Sequence, residues 1–266
     1  MTSTSYLLAG RASELARLER QSQVWEPSGR RLLAAIGAGA GGRALEVGCG
    51  VLGWLRLLSD WVGPGGAVVG TDVDDAMLAA ARKVVTDQGL ANVTLVEDDL
   101  FASTLDPASF DLVHARFEIT PLGRGPEQMA TYLRLCRPGG WVVLEDPGWG
   151  SWQFNPPAPA LDKLIVLIQE AFRHWGDAEA GRKHPELLRS FGIEPHVRAE
   201  VLALPAGDPY LHLPLQLATG LAPRLGELVD AGELEQLQQQ GESELEDPAR
   251  WGTTFTLLQC WGRTPA

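Results

Sequence analysis

The sequence contains no long hydrophobic run and few cations, and these absences exclude several classes of protein. No apolar stretch reaches the roughly 18 residues that a membrane-spanning helix needs. No basic and apolar leader opens the chain, so we expect a cytoplasmic protein. Lys and Arg total 22 against 34 Asp and Glu, a formal charge of −12. Such a surface repels phosphate backbones and anionic lipids, so we expect neither a nucleic-acid nor a membrane partner.

Cysteine and histidine are also scarce, and their spacing argues against metal and redox sites. The three cysteines lack metal-ligand spacing, and no cluster of His, Asp and Glu resembles a metal site, so we expect no metal. His184, His196 and His212 have no partner pattern, and we expect all three at the surface. The 266 residues, 45% of them hydrophobic, are enough to bury a sizeable core in a monomer or homodimer.

Glycine is abundant, and one group of glycines forms a strand-to-helix turn around which the other motifs are arranged. Strand-like residues 43–47 lead into Gly48, Gly50 and Gly53, and apolar residues then recur at helical spacing over 54–62. Gly48 and Gly50 can adopt backbone angles closed to other residues and let a ligand approach the main chain. Gly53 would let the helix pack close to the strand. The helix N-terminus then faces the ligand, which outlines a nucleotide-cofactor site.

An acidic residue follows the next strand at the distance that a cofactor site requires. The predicted strand 67–72 ends at Asp72, nineteen residues after Gly53. A carboxylate there can accept both hydroxyls of a ribose. Asp74 is the better N-cap for the following helix, predicted over 74–85, which leaves Asp72 available for a ligand.

Polar residues also follow the later strands. The strand 93–97 leads into Asp98 and Asp99, the strand 110–113 leads into His114, and a fifth strand covers 141–144. In open α/β sheets, ligands bind in the crevice outside the carboxyl ends of the strands. We therefore expect these side chains at one ligand site.

With these motifs in order, the chain resembles the class I S-adenosylmethionine-dependent methyltransferases. The resemblance covers about residues 30–146 and rests on Glu46-Val-Gly48-Cys-Gly50-Val-Leu-Gly53, Gly70-Thr-Asp72, Val96-Glu-Asp98-Asp99-Leu100, Phe110-Asp-Leu-Val-His114 and Arg137-Pro-Gly-Gly140. The N-terminal Tyr6-Leu-Leu-Ala-Gly10, with Glu14, Arg17, Leu18 and Gln21, is similar to the leading helices of actinobacterial small-molecule (natural-product) members.

The resemblance implies S-adenosylmethionine as cofactor and S-adenosylhomocysteine as product, and it assigns residues to their binding. The methionine moiety would contact Glu46, Gly48, Cys49 and Gly50, and the backbone at His114 and Ala115 would face its amine. The ribose would bind Asp72, with Val73 beside it. The adenine amino group would bind Asp99, with Asp98 and Leu100 next to the ring. From the N-terminal helices, Gln21 would reach the cofactor.

The alternation of strands and helices over 43–146 requires a parallel sheet with right-handed crossovers. The resemblance implies that this sheet belongs to an α/β, Rossmann-like, doubly wound fold of seven strands, which are mostly parallel with an antiparallel last strand. We divide the chain into an N-terminal helical lid (1–42), the cofactor-binding core (43–146), and cap helices with the final two strands (147–266), which complete the same domain. The lid is predicted as two helices separated at Pro27.

Long insertions around the last two strands are predicted to cover the cleft and bind the methyl acceptor. A strand is predicted at 197–204, helix from 211 to about 240, and a final strand at 253–261. Trp149 and Trp152 either line an apolar substrate pocket or belong to the core of the cap.

Two polar residues are further candidates for substrate binding. Arg116 can orient a polar substrate or pair with Glu118, and His174 can face the substrate or interact with its own helix dipole. From the lid, Tyr6, Gln21 and Trp25 would contact the cofactor, or these side chains would only pack or face solvent.

Methyl transfer needs alignment of donor and acceptor, and it needs a general base only when the acceptor must lose a proton early. His114 is our candidate base because it follows a strand and titrates near neutrality; otherwise it is a packed side chain. We expect methyl transfer to an oxygen or nitrogen of a small hydrophobic secondary metabolite.

Three alternatives remain. The first is a cyclase or isomerase that uses S-adenosylmethionine without methyl transfer, because fold does not decide chemistry. The second is a nicotinamide-dependent oxidoreductase, in which Glu46 and the Asp98-Asp99 pair have no evident role. The third is a binding module without catalysis.

Overall fold

A seven-stranded sheet organises residues 12–266, the part of the chain that the computed structural model describes. The strands are β1 (Arg43–Val47), β2 (Ala67–Asp72), β3 (Val93–Glu97), β4 (Phe110–Arg116), β5 (Cys136–Gly148), β6 (Gln153–Asn155), β7 (His196–Glu200), β8 (Ala203–Leu204), β9 (Trp251–Thr253) and β10 (Thr256–Arg263). The sheet has the order β3-β2-β1-β4-β5-β10-β7, and β6, β9 and β8 form a small second sheet. In the large sheet β10 runs antiparallel to both its neighbours, and the other pairs are parallel. The predicted sheet is confirmed.

Helices cover both faces of the large sheet. They are α1 (Ala12–Ile36), α2 (Leu55–Val62), α3 (Asp75–Asp87), α4 (Ile119–Leu122), α5 (Gly125–Leu135), α6 (Pro159–Trp175), α7 (Ala180–Ser190), α8 (Leu213–Gly220), α9 (Ala222–Leu225) and α10 (Ala231–Leu245), with 3-10 turns at Leu100–Ala102, Trp149–Ser151 and Pro209–His212. The adjacent residues Leu112 and Val113 of β4 belong to two different cores, one shared with α1, α2 and α3 and the other with α5 and α7. This alternation follows from the two-residue period of a strand.

The helix α1 is continuous, so the predicted break at Pro27 is wrong. Pro27 is exposed, whereas Trp25, Leu32 and Leu33 are buried. Packing of this apolar face holds the helix together across a residue that cannot donate the usual backbone hydrogen bond. The Tyr6–Gly10 motif lies outside the described residues.

The cap forms a hydrophobic core of its own around α6. The apolar side chains of α6 recur at helical spacing and are buried against α8, α10 and Trp25 of α1. Trp25 Nε1 donates to Tyr210 Oη at 3.1 Å. Trp25 is therefore a core residue that joins α1 to the cap.

Three predicted elements of the cap have different boundaries in the structure. The expected helix over 211–240 is divided into α8, α9 and α10, and both α8 and α9 carry a proline in the first turn, where the missing amide costs little. The expected strands 197–204 and 253–261 each divide between the two sheets. At the point of division Thr254 N donates to Leu202 O at 3.0 Å. No helix in residues 12–266 is long and apolar enough to cross a membrane.

Candidate active site

The glycine turn after β1 adopts the conformation that its residues predict. Gly48, Gly50 and Gly53 have φ angles of 59°, 52° and 47°, in the left-handed region that glycine enters without steric cost. The Cys49 amide donates to the Thr71 carbonyl at 2.8 Å, which joins the turn to β2. A Cβ atom at Gly50 would lie 3.5 Å from Leu18 Cδ1, so α1 passes directly over the turn.

Glu46, at the end of β1, supports this turn from inside the protein. Glu46 is 1% exposed, and its Oε1 accepts the Trp54 backbone amide at 2.9 Å. A Cβ atom at Gly53 would overlap Oε1. Gly53 therefore makes room for a buried carboxylate that holds the start of α2, rather than for close packing of helix and strand.

Asp72, at the end of β2, faces the turn from the adjacent strand. Its Oδ2 accepts the Gly50 amide at 3.0 Å and its Oδ1 accepts the Asp74 amide at 3.0 Å. Asp74 itself caps α3 by accepting from the amides of Ala76 and Met77, as predicted. Burial raises the pKa of Asp72 above its usual value, although its backbone hydrogen bonds oppose this shift.

Glu118, which the sequence did not distinguish as a cofactor residue, lies against the same turn. A side chain at Gly48 would overlap its carboxylate. Burial raises the pKa of Glu118 well above its usual value, and the charges of Asp72, Asp146 and Glu46 raise it further. Carboxylates crowded in this way are suited to bind a cation, because its charge offsets their repulsion and their desolvation.

The sequence predicted a further ligand contact after β3, where Asp98 and Asp99 differ in exposure and in hydrogen bonding. Asp98 is 9% exposed, and its Oδ1 accepts from the amide and hydroxyl of Thr104 at 2.9 and 3.2 Å. Asp99 is exposed and caps the short turn that follows, accepting the Phe101 amide at 2.9 Å. Asp98 therefore supports the loop, while Asp99 faces outward beside the buried Leu100. Val73 is also exposed, after Asp72.

His114 lies inside the protein between two carboxylates. Its Nδ1 is 2.5 Å from Glu46 Oε2 and its Nε2 is 3.2 Å from Glu145 Oε2. The ring stacks on Trp54 with the centroids 3.7 Å apart, and the side chain is 0% exposed. Gln259 Nε2 donates to the other oxygen of Glu145 at 2.6 Å.

These contacts contradict the prediction that His114 is a catalytic base. A base must reach the proton that it removes, and both nitrogens of His114 are enclosed by carboxylates. Burial alone would lower the pKa of His114, but the charges and hydrogen bonds of Glu46 and Glu145 outweigh burial and raise it. The imidazolium thus contacts both buried carboxylates and offsets one of their two negative charges. Contacts from the backbone of His114 and Ala115 to the methionine amine remain a prediction.

An open cavity of about 80 Å³ lies between α1, the cap and the segment after β4. Its lining is mainly aromatic and aliphatic: Phe117, Pro121, Pro147, Trp149, Phe172, Leu213, Leu217, Leu221 and Phe255, with Arg17, Gln21 and Thr120 as the polar members. Two hydrogen bonds of 2.8 and 2.6 Å join Arg17 to Glu14, and Arg17 Nη1 donates to Gln21 Oε1 at 2.9 Å. Glu14 therefore offsets the positive charge at this wall.

The cavity adjoins the glycine turn along two segments. On α1, Leu18 passes over Gly50 while its neighbour Arg17 lines the cavity. After β4, Phe117 lines the cavity while Glu118 lies against Gly48. Phe117 has a φ of 59°, which is rare for a bulky residue and costs free energy. This backbone conformation turns the two consecutive side chains toward the two sites.

Of the residues predicted to bind substrate, Trp149 lines the cavity and three others do not. Trp152 is 5% exposed and belongs to the cap core, and His174 is exposed beside Trp175. Arg116 is buried, donates to Ser22 Oγ at 3.2 Å and lies 3.9 Å from Glu145, so it does not pair with Glu118. Gln21 also lines the cavity, and its contact with the cofactor stays a prediction.

His184 is buried, so its predicted surface position is wrong. Its Nε2 lies 3.0 Å from Asp146 Oδ2, and Asp146 Oδ1 accepts the Thr120 amide at 3.1 Å. Neither contact has a local sequence signal, because the three residues come from different elements. Within residues 12–266 no group of three or more His, Cys, Asp or Glu side chains is placed to hold a metal ion.

The fold and the site define a Rossmann-like protein with a cofactor crevice at the carboxyl edge of its sheet and an apolar cavity beside it. Comparison with known proteins identifies the family. Residues 44–140 match the methyltransferase domain family. Aklanonic acid methyltransferase DauC of Streptomyces sp. (strain C5) is 31% identical over 54% of this chain and 67% of its own length. The chain belongs to the class I S-adenosylmethionine-dependent methyltransferases, and S-adenosylmethionine is its cofactor.

Other relatives differ in how much of their length this chain matches. Nocamycin O-methyltransferase of Saccharothrix syringae is 34% identical over 47% of this chain and 45% of its own length. The ubiquinone/menaquinone biosynthesis C-methyltransferase UbiE of Stutzerimonas stutzeri is 31% identical over 62% of this chain and 66% of its own length. The solved structure of the YcgJ protein from Bacillus subtilis shares the fold, with a TM-score of 0.60 over 91% of this chain and 99% of its own at 14% identity.

Proposed function

We propose that this methyltransferase acts on an oxygen or nitrogen of a small hydrophobic metabolite that binds in the aromatic cavity. The supporting observation is the position of the cavity beside the glycine turn, with Phe117 and Glu118 directed to the two sites. The names of the relatives above refer to methylation of small organic molecules, which suits a role in secondary metabolism.

The residues around the turn fit the cofactor. The absence of a side chain at Gly48 makes room for the Glu118 carboxylate, and the carboxylates of Asp72 and Glu118 suit a ligand that carries ribose hydroxyls and positive charge. We assign Asp72 to the ribose, and Asp99 with Leu100 to the adenine. Glu46 acts by holding the turn, because it is buried and bonds the Trp54 amide and His114 inside the protein.

The chain contributes alignment and a water-poor site. S-adenosylmethionine, when bound, supplies a methyl group on a positively charged sulfur. The aromatic walls at Phe117, Trp149 and Phe172 would orient a ring compound and exclude water. Glu118 would complement the positive charge of the cofactor. With His114 enclosed, we assign no proton transfer to it.

Replacing the Glu118 carboxylate should weaken cofactor binding while stabilising the free protein. The pKa of Glu118 is raised in the folded state, so its ionisation near neutral pH opposes folding. Glu118→Gln removes that charge, and we expect a melting temperature a few degrees higher. A charged interaction of about 1.5–3 kcal/mol is lost with the cofactor, so its affinity should fall roughly 10- to 100-fold. Thermal unfolding and calorimetric titration with S-adenosylmethionine measure the two effects.

The exposed Glu127 provides the control for this substitution. Glu127→Gln is chemically identical but lies on the surface of α5, paired with Arg124. It should leave cofactor affinity unchanged. An affinity in Glu118→Gln equal to that of the wild type would show that Glu118 does not interact with the cofactor.

Product mass detects the transferred methyl group, and NMR of the product assigns the atom that carries it. The protein is incubated with methyl-deuterated S-adenosylmethionine and a panel of hydroxylated and aminated aromatic compounds that includes aklanonic acid, 1-naphthol and 1-naphthylamine. We expect a labelled methyl on oxygen or nitrogen, and no product with Asp72→Ala. Label on carbon would refute the proposed atom. An isomer without label would support the cyclase or isomerase alternative, and no product across the panel would count against the proposed acceptor class.

A further inference from the structure

The Thr120 hydroxyl is a buried polar group without a hydrogen-bond partner among the described residues, and Thr120 lines the cavity. Thr120 is 2% exposed, and its Oγ1 is buried without a hydrogen-bond partner in residues 12–266. A buried hydroxyl without a partner destabilises the fold, so each such group calls for an explanation, and a bound ligand is one. Thr120 lines the apolar cavity.

Other helical threonines of the chain satisfy their hydroxyls locally. Thr86 Oγ1 donates to the Arg82 carbonyl at 2.9 Å, and Thr219 Oγ1 donates to the Leu215 carbonyl at 2.9 Å, each one turn back along its helix. Thr120 lies in the short helix α4 and makes no such bond. Its hydroxyl therefore lacks the local partner that the other two hydroxyls have.

The backbone of Thr120 is held by hydrogen bonds at both its amide and its carbonyl. Its amide donates to Asp146 Oδ1 at 3.1 Å, and its carbonyl accepts the Asp177 amide at 2.9 Å. Asp146 is in turn held by the buried His184 at 3.0 Å. These contacts fix the backbone position of one polar residue on a mainly apolar wall, a common basis for orienting a ligand.

The charges around the cavity favour a neutral ligand. Arg17 is paired with Glu14 at the cavity wall, and the carboxylate of Glu118 lies on the turn next to Phe117. An anionic ligand would therefore meet an already neutralised cation and a nearby negative charge.

We propose that the cavity selects a neutral, largely apolar ring compound whose hydroxyl hydrogen-bonds to Thr120 Oγ1. This inference rests on the proposed function for the identity of the ligand as acceptor, but the binding it describes does not require methyl transfer. A threonine hydroxyl can donate and accept, so it matches a ligand hydroxyl in either direction.

Binding of two nearly isosteric probes tests the proposal. Equilibrium dialysis of 1-naphthol and 1-methylnaphthalene against the full chain compares a hydroxyl with a methyl group on the same ring. We expect the wild type to bind 1-naphthol about five- to tenfold more tightly, in line with one hydrogen bond. Thr120→Val should abolish this preference, and Thr120→Ser should keep it.

Control variants make each outcome decisive. Thr86→Val, on the exposed side of α3, should leave the preference unchanged. A preference that persists in Thr120→Val, that is absent in the wild type, or that disappears in Thr120→Ser would overturn the assignment. If Thr120→Val does not fold, the comparison of Thr120→Ser with Thr120→Ala gives the same test. Failure of methyl transfer with an unchanged probe preference would refute the reaction alone.

Discussion

Asp72→Ala is expected to lose at least about 100-fold in affinity for S-adenosylmethionine. An ionised carboxylate that accepts both ribose hydroxyls contributes about 1.5–3 kcal/mol for each bond, which together correspond to roughly 10²- to 10⁴-fold. Asp72 lies at the end of β2 with its Oδ2 3.0 Å from the Gly50 amide, so it is directly beside the main chain of the turn. Calorimetric titration with S-adenosylmethionine and S-adenosylhomocysteine measures the loss.

A loss of affinity must be distinguished from a loss of structure. The folded-state pKa of Asp72 is raised by burial, so removing its charge near neutral pH relieves an unfavourable ionisation and partly offsets the two lost backbone hydrogen bonds. We therefore expect the melting temperature to change by only a few degrees. The matched control Asp75→Ala, at an exposed position in the first turn of α3, should bind normally. Affinity within threefold of the wild type in Asp72→Ala would refute the ribose assignment.

The position of Asp72 was predictable from the sequence because its determinants are local. The strand before it is a short apolar run, and Asp74 supplies the side chain that caps the next helix. The glycine turn was equally predictable from the sequence, because Gly48 and Gly50 adopt positive φ angles that glycine tolerates best. Local sequence patterns were thus sufficient to predict the carboxyl ends of the strands and the crevice that they form.

The roles of the buried charges were not predictable, because their partners are distant in sequence. His114 follows an apolar strand in the same way as a residue that faces a ligand. It instead points to the face of the sheet on which β1 places Glu46 directly opposite it. The register of β5 adds Glu145 opposite Arg116 on that face. Only the pairing of three strands reveals that His114 lies between two carboxylates.

The continuity of α1 was missed for a related reason. Proline lowers the local preference for helix, but here the helix is held by tertiary packing of Trp25 and Leu32. Phe117 and Thr120 had no local signal at all. One is identified by a positive φ angle and the other by a buried hydroxyl without a partner.

His114→Phe is expected to destabilise the fold by about 3–5 kcal/mol, because it leaves Glu46 and Glu145 buried without the cation between them. Phenylalanine preserves a ring against Trp54, which His114 stacks on at 3.7 Å, so the change mainly removes charge and hydrogen bonds. For a chain of this size the melting temperature should fall by roughly 10 °C. Denaturant unfolding measures the free energy. The control His174→Phe, an exposed histidine beside Trp175, should change it by less than about 0.5 kcal/mol.

The pH dependence of the difference in unfolding free energy between wild type and His114→Phe identifies its cause. The pKa of His114 is raised on folding, so its contribution is complete below about 6.5 and is lost as pH rises through the folded-state pKa. Burial opposes ionisation of Glu145, but His114, Arg116 and Gln259 outweigh burial and lower its pKa, so its contribution is present above about 4.3 and is lost as pH falls. The gap in unfolding free energy between wild type and His114→Phe should therefore be widest between about pH 4.5 and 6.5. Because Asp72 and Glu118 titrate in both proteins, their effects cancel in the comparison. If the difference in unfolding free energy stays constant from pH 4.5 to 9, the stability depends on the shape of the His114 side chain and not on its charge.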